Sequence, residues 1–343
     1  MKKEFAIWFT EFRAPFLVAT FVSILLGTTI AWVRNNAFSL QYFLLALLGG
    51  IFLHLGANIA NDYFDHKSGN DEINKEFVRP FTGGSRTIQL GLLTPRQVLT
   101  SSLLFFTGAF LIGIYLTWAR GFVVLALATI GLVSGIFYTG APFKWASRGI
   151  GEALVGVNFG ALMTFGAYYV QTQTLSLEPF IVSVPISLLI AAVLYINEFP
   201  DYNADKSVGK NTLVVRLGRN RAALGYMLIV ASSYLVVILN VLLGVAPAYT
   251  LFALIPLPLA LTAIRLASKF HSQPPKLAPA NALTVMFHFL TSLLLSFGYL
   301  SYRFDVMSPG YFFVIVAVGI CAMMTVYFYS ISKTGSKGGD GNS

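Results

Sequence analysis

The chain has 343 residues, of which 56% are hydrophobic and only 11% charged, and it carries a formal net charge of +9. So apolar a composition excludes a water-soluble fold, and runs of about 20 apolar residues, long enough to cross a bilayer, account for it. Nucleic-acid binding, the usual reading of a basic chain, is excluded because the cations lie between apolar runs, where topology and anionic lipid explain them.

In chain order, membrane-crossing helices are expected near 14–33, 40–62, 96–117, 120–138 and 150–171, then near 176–199, 221–244, 247–267, 281–302 and 309–332. The fold class is therefore all-α, a polytopic transmembrane helix bundle forming a single membrane domain. Its Gly/Ser/Lys-rich tail, 333–343, is expected to be disordered. Lys2 and Lys3 suit a signal peptide, but no small-residue cleavage site follows, so the first segment reads as a retained span. Cys321 is the only cysteine and lies in the last apolar run, which excludes disulfides and argues against a thiolate metal site.

Basic loops stay cytoplasmic. With the N-terminus inside, all 23 Lys and Arg residues except Arg34, Arg120 and Arg303 fall on the cytoplasmic side. The expectation is a multi-pass protein of the cell inner membrane with its working face towards the cytoplasm.

Two short windows on that face hold more than half of the chain's 14 acidic residues: Asp62, Asp65, Asp71, Glu72 and Glu76 in the first, Glu198, Asp201 and Asp205 in the second. They close the second and sixth apolar segments, so four helices make a repeat, and a polar motif repeated in each half marks a site built between repeats. Asn197, Asp201 and Asp205 recur at spacing four on one helical face, as do Asn61 and Asp65. Lys67-Ser68-Gly69 reads as a helix end, with Gly69 able to turn left-handed and bring Asp71 back.

Carboxylates and amide oxygens without histidine or thiolate describe a hard-cation site, and Mg²⁺ commonly combines a few carboxylates with substrate phosphate oxygens. Two facing acidic clusters thus suggest metal ions bridging protein and diphosphate, while helix-end caps and loop salt bridges are the structural alternative. Arg86, Lys144 and Lys210, with Arg79 behind them, are the cations placed to neutralise phosphate. Tyr138, Tyr168 and Tyr169, beside Phe137 and Phe165, could shelter a carbocation on their ring faces; lipid-facing packing is the competing explanation. His54, His66, His271 and His288 show no ligand spacing.

These motifs resemble those of the UbiA-type membrane prenyltransferases, which join an isoprenyl diphosphate to an aromatic or other acceptor. Asn61 and Asp65 match the opening of that family's first motif, Asn-x-x-x-Asp-x-x-x-Asp, and Asp201 with Asp205 matches its second, Asp-x-x-x-Asp. At the third position stands Gly69, with Asp71 two residues later, an ending similar to the branch that prenylates 1,4-dihydroxy-2-naphthoate in menaquinone synthesis. Gly83-Gly84-Ser85-Arg86, Tyr138-Thr139-Gly140-Ala141-Pro142, Gly149-Ile150-Gly151-Glu152 and Gly209-Lys210-Asn211-Thr212 are similar to that branch too.

The resemblance spans about residues 10–302 and implies a nine-helix core, two four-helix repeats plus one, leaving the segment near 309–332 as an addition. It implies Mg²⁺ held by Asn61, Asp65, Asp71, Asn197, Asp201 and Asp205, with a polyprenyl diphosphate and an aromatic acceptor as substrates. Asp65 and Asp201 then carry the chemistry directly, and Asp62 and Glu198, beside the ligands, become candidates for positioning the acceptor or taking a proton. Other acceptors, namely 4-hydroxybenzoate, homogentisate, a chlorin, haem or a glycerol-phosphate lipid, stay open. So do a secondary transporter, which intramembrane acids in repeated halves can also mark, and a scaffold that binds isoprenoid lipid without chemistry.

Overall fold

The computed structural model describes residues 2–306, 311, 314 and 316–319. The segment expected at 309–332 lies largely outside the described residues, and the tail 333–343 lies wholly outside them. A short helix, α1 (Lys2–Glu11), precedes α2 (Ala14–Asn35), α3 (Leu40–Ser68), α4 (Pro95–Arg120) and α5 (Phe122–Phe137). The second half repeats the plan with α6 (Gly151–Thr172), α7 (Glu178–Ser207), α8 (Arg219–Leu242) and α9 (Ala248–Phe270), and α10 (Pro274–Phe304) follows. Eight of these helices are long and apolar enough to cross a membrane, and α5 is a shorter apolar helix of 16 residues. The protein is an integral, multi-pass membrane protein.

The membrane-crossing runs expected at 40–62 and 176–199 continue as helix to Ser68 and Ser207, so the motif acids ride on helix faces and α3 ends where Lys67-Ser68-Gly69 predicts. The helix α1 was not expected; its exposed Phe5 and Phe9 share one face.

Local chemistry sets the ends. Ser39 caps α3, Thr94 and Gln97 form a reciprocal capping box on α4 ahead of Pro95, and Gly69 at φ 77° stops α3 as its residue type allows. At the far end of the bundle the three isolated arginines pair locally: Arg34 with Glu178, Arg120 with the carbonyls of Val170 and Gln171, and Arg303 with the Trp32 carbonyl.

The centre is held by α7, which packs against α6, α8 and α10. Tyr195, Phe199, Tyr226 and Phe287 are fully buried in one cluster there. Helix α7 contains Pro185 and Pro200, and each leaves the carbonyl four residues earlier without its helical donor. A bare carbonyl is costly where no water reaches. Asn240 of α8 donates its amide to the Ile181 carbonyl at 3.3 Å, and Asn281 of α10 does the same for Ile196 at 3.2 Å. The two asparagines thereby fix where α8 and α10 meet α7.

Replacing Asn240 with Ala should lower the detergent unfolding midpoint, since an unsatisfied buried carbonyl costs about 1–3 kcal/mol. Adding Pro185→Ala restores the missing N–H and should recover most of the loss. Thermal unfolding of the single and double variants checks this, and a double variant no better than the single would refute the pairing.

Candidate active site

The C-terminal ends of α3 and α7 face one cavity, and Lys210 and the segment after Gly69 bridge their acidic motifs. Lys210 sits between them: its Nζ donates to Asp65 Oδ2 at 3.0 Å and lies 3.7 Å from Asp205 Oδ1. Burial works against the Lys210 charge, but the Asp65 and Asp205 carboxylates outweigh it and hold its pKa well above the usual lysine value. Asn61 donates to Asp65 Oδ2 at 2.6 Å, and Asn281 donates to Asn197 Oδ1 at 2.7 Å.

The segment after Gly69 crosses to the other repeat. Asn70 donates to Asp205 Oδ1 at 2.9 Å, Asn74 to Asp201 Oδ1 at 2.7 Å, and the Gly83 N–H to Asp201 Oδ2 at 3.4 Å. Gln89 donates to Asp71 Oδ2 at 3.2 Å, and Arg86 donates to the Asp71 carbonyl at 3.0 Å while lying over the Phe77 ring. Burial, then the charges of Asp65 and Asp62, push the Asp71 carboxyl up to about 8.

A latch ties this segment to the N-terminus. Arg13 pairs with Asp62 Oδ1, and the Ser85 N–H donates to Asp62 Oδ2 at 3.1 Å. Fully buried Glu11 accepts from the hydroxyls of Ser85 and Thr87. Burial and the nearby Asp62 charge raise the Glu11 carboxyl to about 7 against those hydrogen bonds. Gly84 passes so close that a Cβ would stand 3.0 Å from Asp62 Oδ1 and 3.2 Å from Arg13 Nη2, at φ 69°.

Beneath this head a cavity of about 350 Å³ runs between the helices. Asp65, Asp71, Asp201, Asp205 and Lys210 line its polar end, and it continues past His54, Asn58 and Asn158 to an apolar end at Leu116, Val124 and Val170. The shape suits an amphiphile with a charged head and a long apolar tail.

The UbiA prenyltransferase family profile matches residues 20–283. The chain belongs to the UbiA prenyltransferase family. It is 31% identical over 88% of its length to the 1,4-dihydroxy-2-naphthoate octaprenyltransferase of Haemophilus influenzae, covering 97% of that protein. It is 29% identical over 85% of its length to the 2-carboxy-1,4-naphthoquinone phytyltransferase of Synechocystis, covering 92% of it. Its fold is similar to that of a UbiA homolog from Archaeoglobus fulgidus bound to DMAPP and Mg²⁺, with a TM-score of 0.53 at 17% identity, over 84% of this chain and 99% of that one.

As a member of this family the protein is a prenyltransferase, and the expected site residues divide into two groups. Asn61, Asp65, Asp71, Tyr138, Asn197, Glu198, Asp201, Asp205 and Lys210 all line the one cavity. Arg79 and Lys144 do not: both are exposed, Arg79 lying 5.9 Å from the Phe77 ring. Arg86 serves the loop backbone and does not line the cavity. Tyr168 and Tyr169 are buried near the opposite end of α6, where the Tyr168 hydroxyl donates to Asn35 Oδ1 at 3.0 Å. The sequence grouped them with Tyr138 because all lie near helix ends, but α5 and α6 run in opposite directions. Asp62 does not line the cavity, and both its oxygens are engaged, by Arg13 and by the Ser85 N–H.

The motif acids also stop short of the expected convergence. Among the described residues no three His, Cys, Asp or Glu side chains are gathered as a metal-holding group, because Lys210, Asn70 and Asn74 each occupy a carboxylate. Arg13, Glu11, Asn70, Asn74 and Glu152 were missed. Asn70 and Asn74 carried a legible signal, spacing four directly after the helix stop. Glu152, which accepts the Leu213 N–H at 2.7 Å and so steadies the strand of chain after Lys210, stood in a motif but without a role.

If Arg13 and Asp62 latch the loop, Arg13→Met should speed tryptic cleavage after exposed Lys75 about tenfold, the loss of roughly one charged hydrogen bond. Limited proteolysis followed by mass spectrometry measures this; cleavage at the wild-type rate would refute the latch.

Proposed function

We propose that this prenyltransferase transfers a polyprenyl group from its diphosphate to 1,4-dihydroxy-2-naphthoate, as in menaquinone synthesis. One observation carries the reading: carboxylates from both repeats share a single cation, Lys210, at the head of a cavity whose far end is apolar. Relatives that act on naphthoate-type acceptors, alike in length and about 30% identical, support the acceptor.

The donor set fits Mg²⁺. Asp65 and Asp205 already lie close enough to share one ammonium, the remaining donors are hard oxygens, and too few carboxylates meet at one point to close a site without phosphate and water. Asp65, Asp71, Asp201 and Asp205, with Asn61 and Asn197, would hold the metal. When bound, Mg²⁺ supplies positive charge to the diphosphate as it leaves. Lys210 adds a donor to the same oxygens once diphosphate replaces the carboxylates around it. Asn70, Asn74 and Gly83 keep the second-motif carboxylates in place, and the latched loop over them limits water at the allylic centre. Glu198, buried, lining the cavity and paired with Glu152, is placed to orient the acceptor, which loses a ring proton or, for a naphthoate carboxylate, CO₂ as the prenyl group adds. By the positive-inside rule the head and the N-terminus face the cytoplasm.

Purified protein in detergent or liposomes, given a radiolabelled polyprenyl diphosphate, should prenylate 1,4-dihydroxy-2-naphthoate and not 4-hydroxybenzoate, and chelator should stop it. Product from 4-hydroxybenzoate alone would discard the acceptor. Asp65→Ala and Asp201→Ala should each reduce turnover by about 10³-fold or more in folded protein; retained activity would rule out their role. Because Asp71 is held up at about 8, its proton must leave before a cation binds. The Mg²⁺ concentration for half-maximal activity should therefore fall as pH rises from about 6.5 to 8.5 and level off above the Asp71 pKa.

A further inference from the structure

Just membrane-side of the acidic head, the cavity has one polar wall. His54, Asn58, Asn61 and Asp65 recur on one face of α3, and all four line the cavity. At about 1.5 Å rise per residue, Asn58 lies roughly 4.5 Å and His54 roughly 10 Å below Asn61. The Asn58 amide nitrogen is buried and has no hydrogen-bond partner. His54 Nδ1 lies 2.9 Å from Thr20 Oγ1. Thr20 is fully buried and its hydroxyl has no other hydrogen bond among the described residues, so it donates to Nδ1 and leaves the ring proton on Nε2. The α3 face thus carries two N–H donors, one turn apart.

Helix α6 completes the chamber. It widens to a π-helix over Gly156–Leu162, a local form often found at functional sites. Gly160 meets α7 so closely that a Cβ would stand 2.1 Å from Ser187 Oγ. Beside it, Asn158 and Phe159 line the cavity, and the Phe159 ring meets the His54 imidazole at 4.5 Å between centroids. The Asn158 amide nitrogen is held by the Leu154 carbonyl, leaving its oxygen as an acceptor. The motifs align Asn61 with Asn197 and Asp65 with Asp201, so the repeat counterparts of His54 and Asn58 on α7 are Ile190 and Leu194. Both line the cavity, and both are apolar.

We propose that His54 and Asn58 form the recognition site for the acceptor, donating to oxygen substituents of a planar aromatic ring, with Thr20 as the positioning residue for His54. The proposal rests on the aromatic acceptor proposed above. A prenyl tail offers nothing to an N–H donor, and an unmet donor in an apolar cavity is costly. The acceptor ring must lie next to the allylic carbon, at the level of these donors, with Ile190 and Leu194 against its other side.

The test compares wild type with His54→Phe, Asn58→Leu, Thr20→Val and Thr20→Ser, each purified and assayed with Mg²⁺. The readouts are KM for the acceptor, KM for the prenyl diphosphate, and direct binding of a non-reactive prenyl thiodiphosphate, which also reports folding. Acceptor KM should rise about tenfold in His54→Phe and in Asn58→Leu, the loss of roughly one hydrogen bond, with donor KM and thiodiphosphate binding unchanged. Thr20→Val should shift acceptor KM in the same direction and Thr20→Ser should restore it. Acceptor KM within about twofold of wild type in both donor variants, or donor affinity falling in step, would overturn the proposal. If wild type uses 4-hydroxybenzoate instead of the naphthoate, the acceptor named above fails, and the same criteria, read on 4-hydroxybenzoate, decide the site.

Discussion

The ammonium of Lys210, held between Asp65 of one repeat and Asp205 of the other, is the contact on which the head of the molecule depends. Four carboxylates packed at the end of an apolar cavity repel one another, and each loses hydration. One cation cannot offset all of them. Arg13 acts on Asp71 as well, Asn61 and Gln89 donate to Asp65 and Asp71 within the first repeat, and Asn70 and Asn74, which follow the first motif, serve Asp205 and Asp201 of the second. A buried ion pair of this kind adds little net stability, because desolvation consumes most of the attraction. Its consequence is positional, since it fixes two helix ends at the separation a shared anion would need.

The same economy of polar groups explains how α7 can carry two internal prolines and still span a membrane. Pro185 and Pro200 each free a carbonyl of the helix at the centre of the bundle, and each freed carbonyl receives an amide from a different neighbour. Asn281 does this while also donating to Asn197. One side chain therefore links a structural repair of the backbone to the orientation of a residue facing the cavity. Tyr195, Phe199 and Phe287 pack in the cluster around it.

Much of this was legible in the sequence, and the residues that were not have a common cause. Hydropathy located the eight membrane-long helices and the shorter α5 of the described residues, and spacing four placed Asn61 with Asp65, and Asn197 with Asp201 and Asp205, on helical faces that line one cavity. Gly69 announced the end of α3. What failed were inferences from position along a helix without its direction: Tyr168 and Tyr169 lie near an end, but the wrong one. Lys144 and Arg79 failed because the positive-inside bias supplies cations to every loop on that face, whatever their task. Arg13 and Glu11 were invisible because they act only across a long loop closure, against Asp62, Ser85 and Thr87, and no local pattern records such a pairing. His54 was dismissed for lacking ligand spacing, a test suited to metals; its spacing to Asn58 and Asn61 was the informative one.

Duplication gives the two halves nearly equivalent motifs, yet the substrates of a prenyl transfer are not symmetric. The diphosphate can be gripped from both sides alike, and there the repeats have kept matching Asn and Asp residues. Directly below, the reacting carbon must face an acceptor on one side and apolar packing on the other, so equivalence would be a hindrance. The repeats diverge at that level, with His54 and Asn58 on α3 facing a cavity whose α7 counterparts are Ile190 and Leu194. The loops diverge as well. The first crosses both motifs and is latched to the N-terminus, while the second delivers Lys210 and is steadied by Glu152. Symmetry thus persists where one charge-dense group is shared and ends where two chemically different molecules must be told apart.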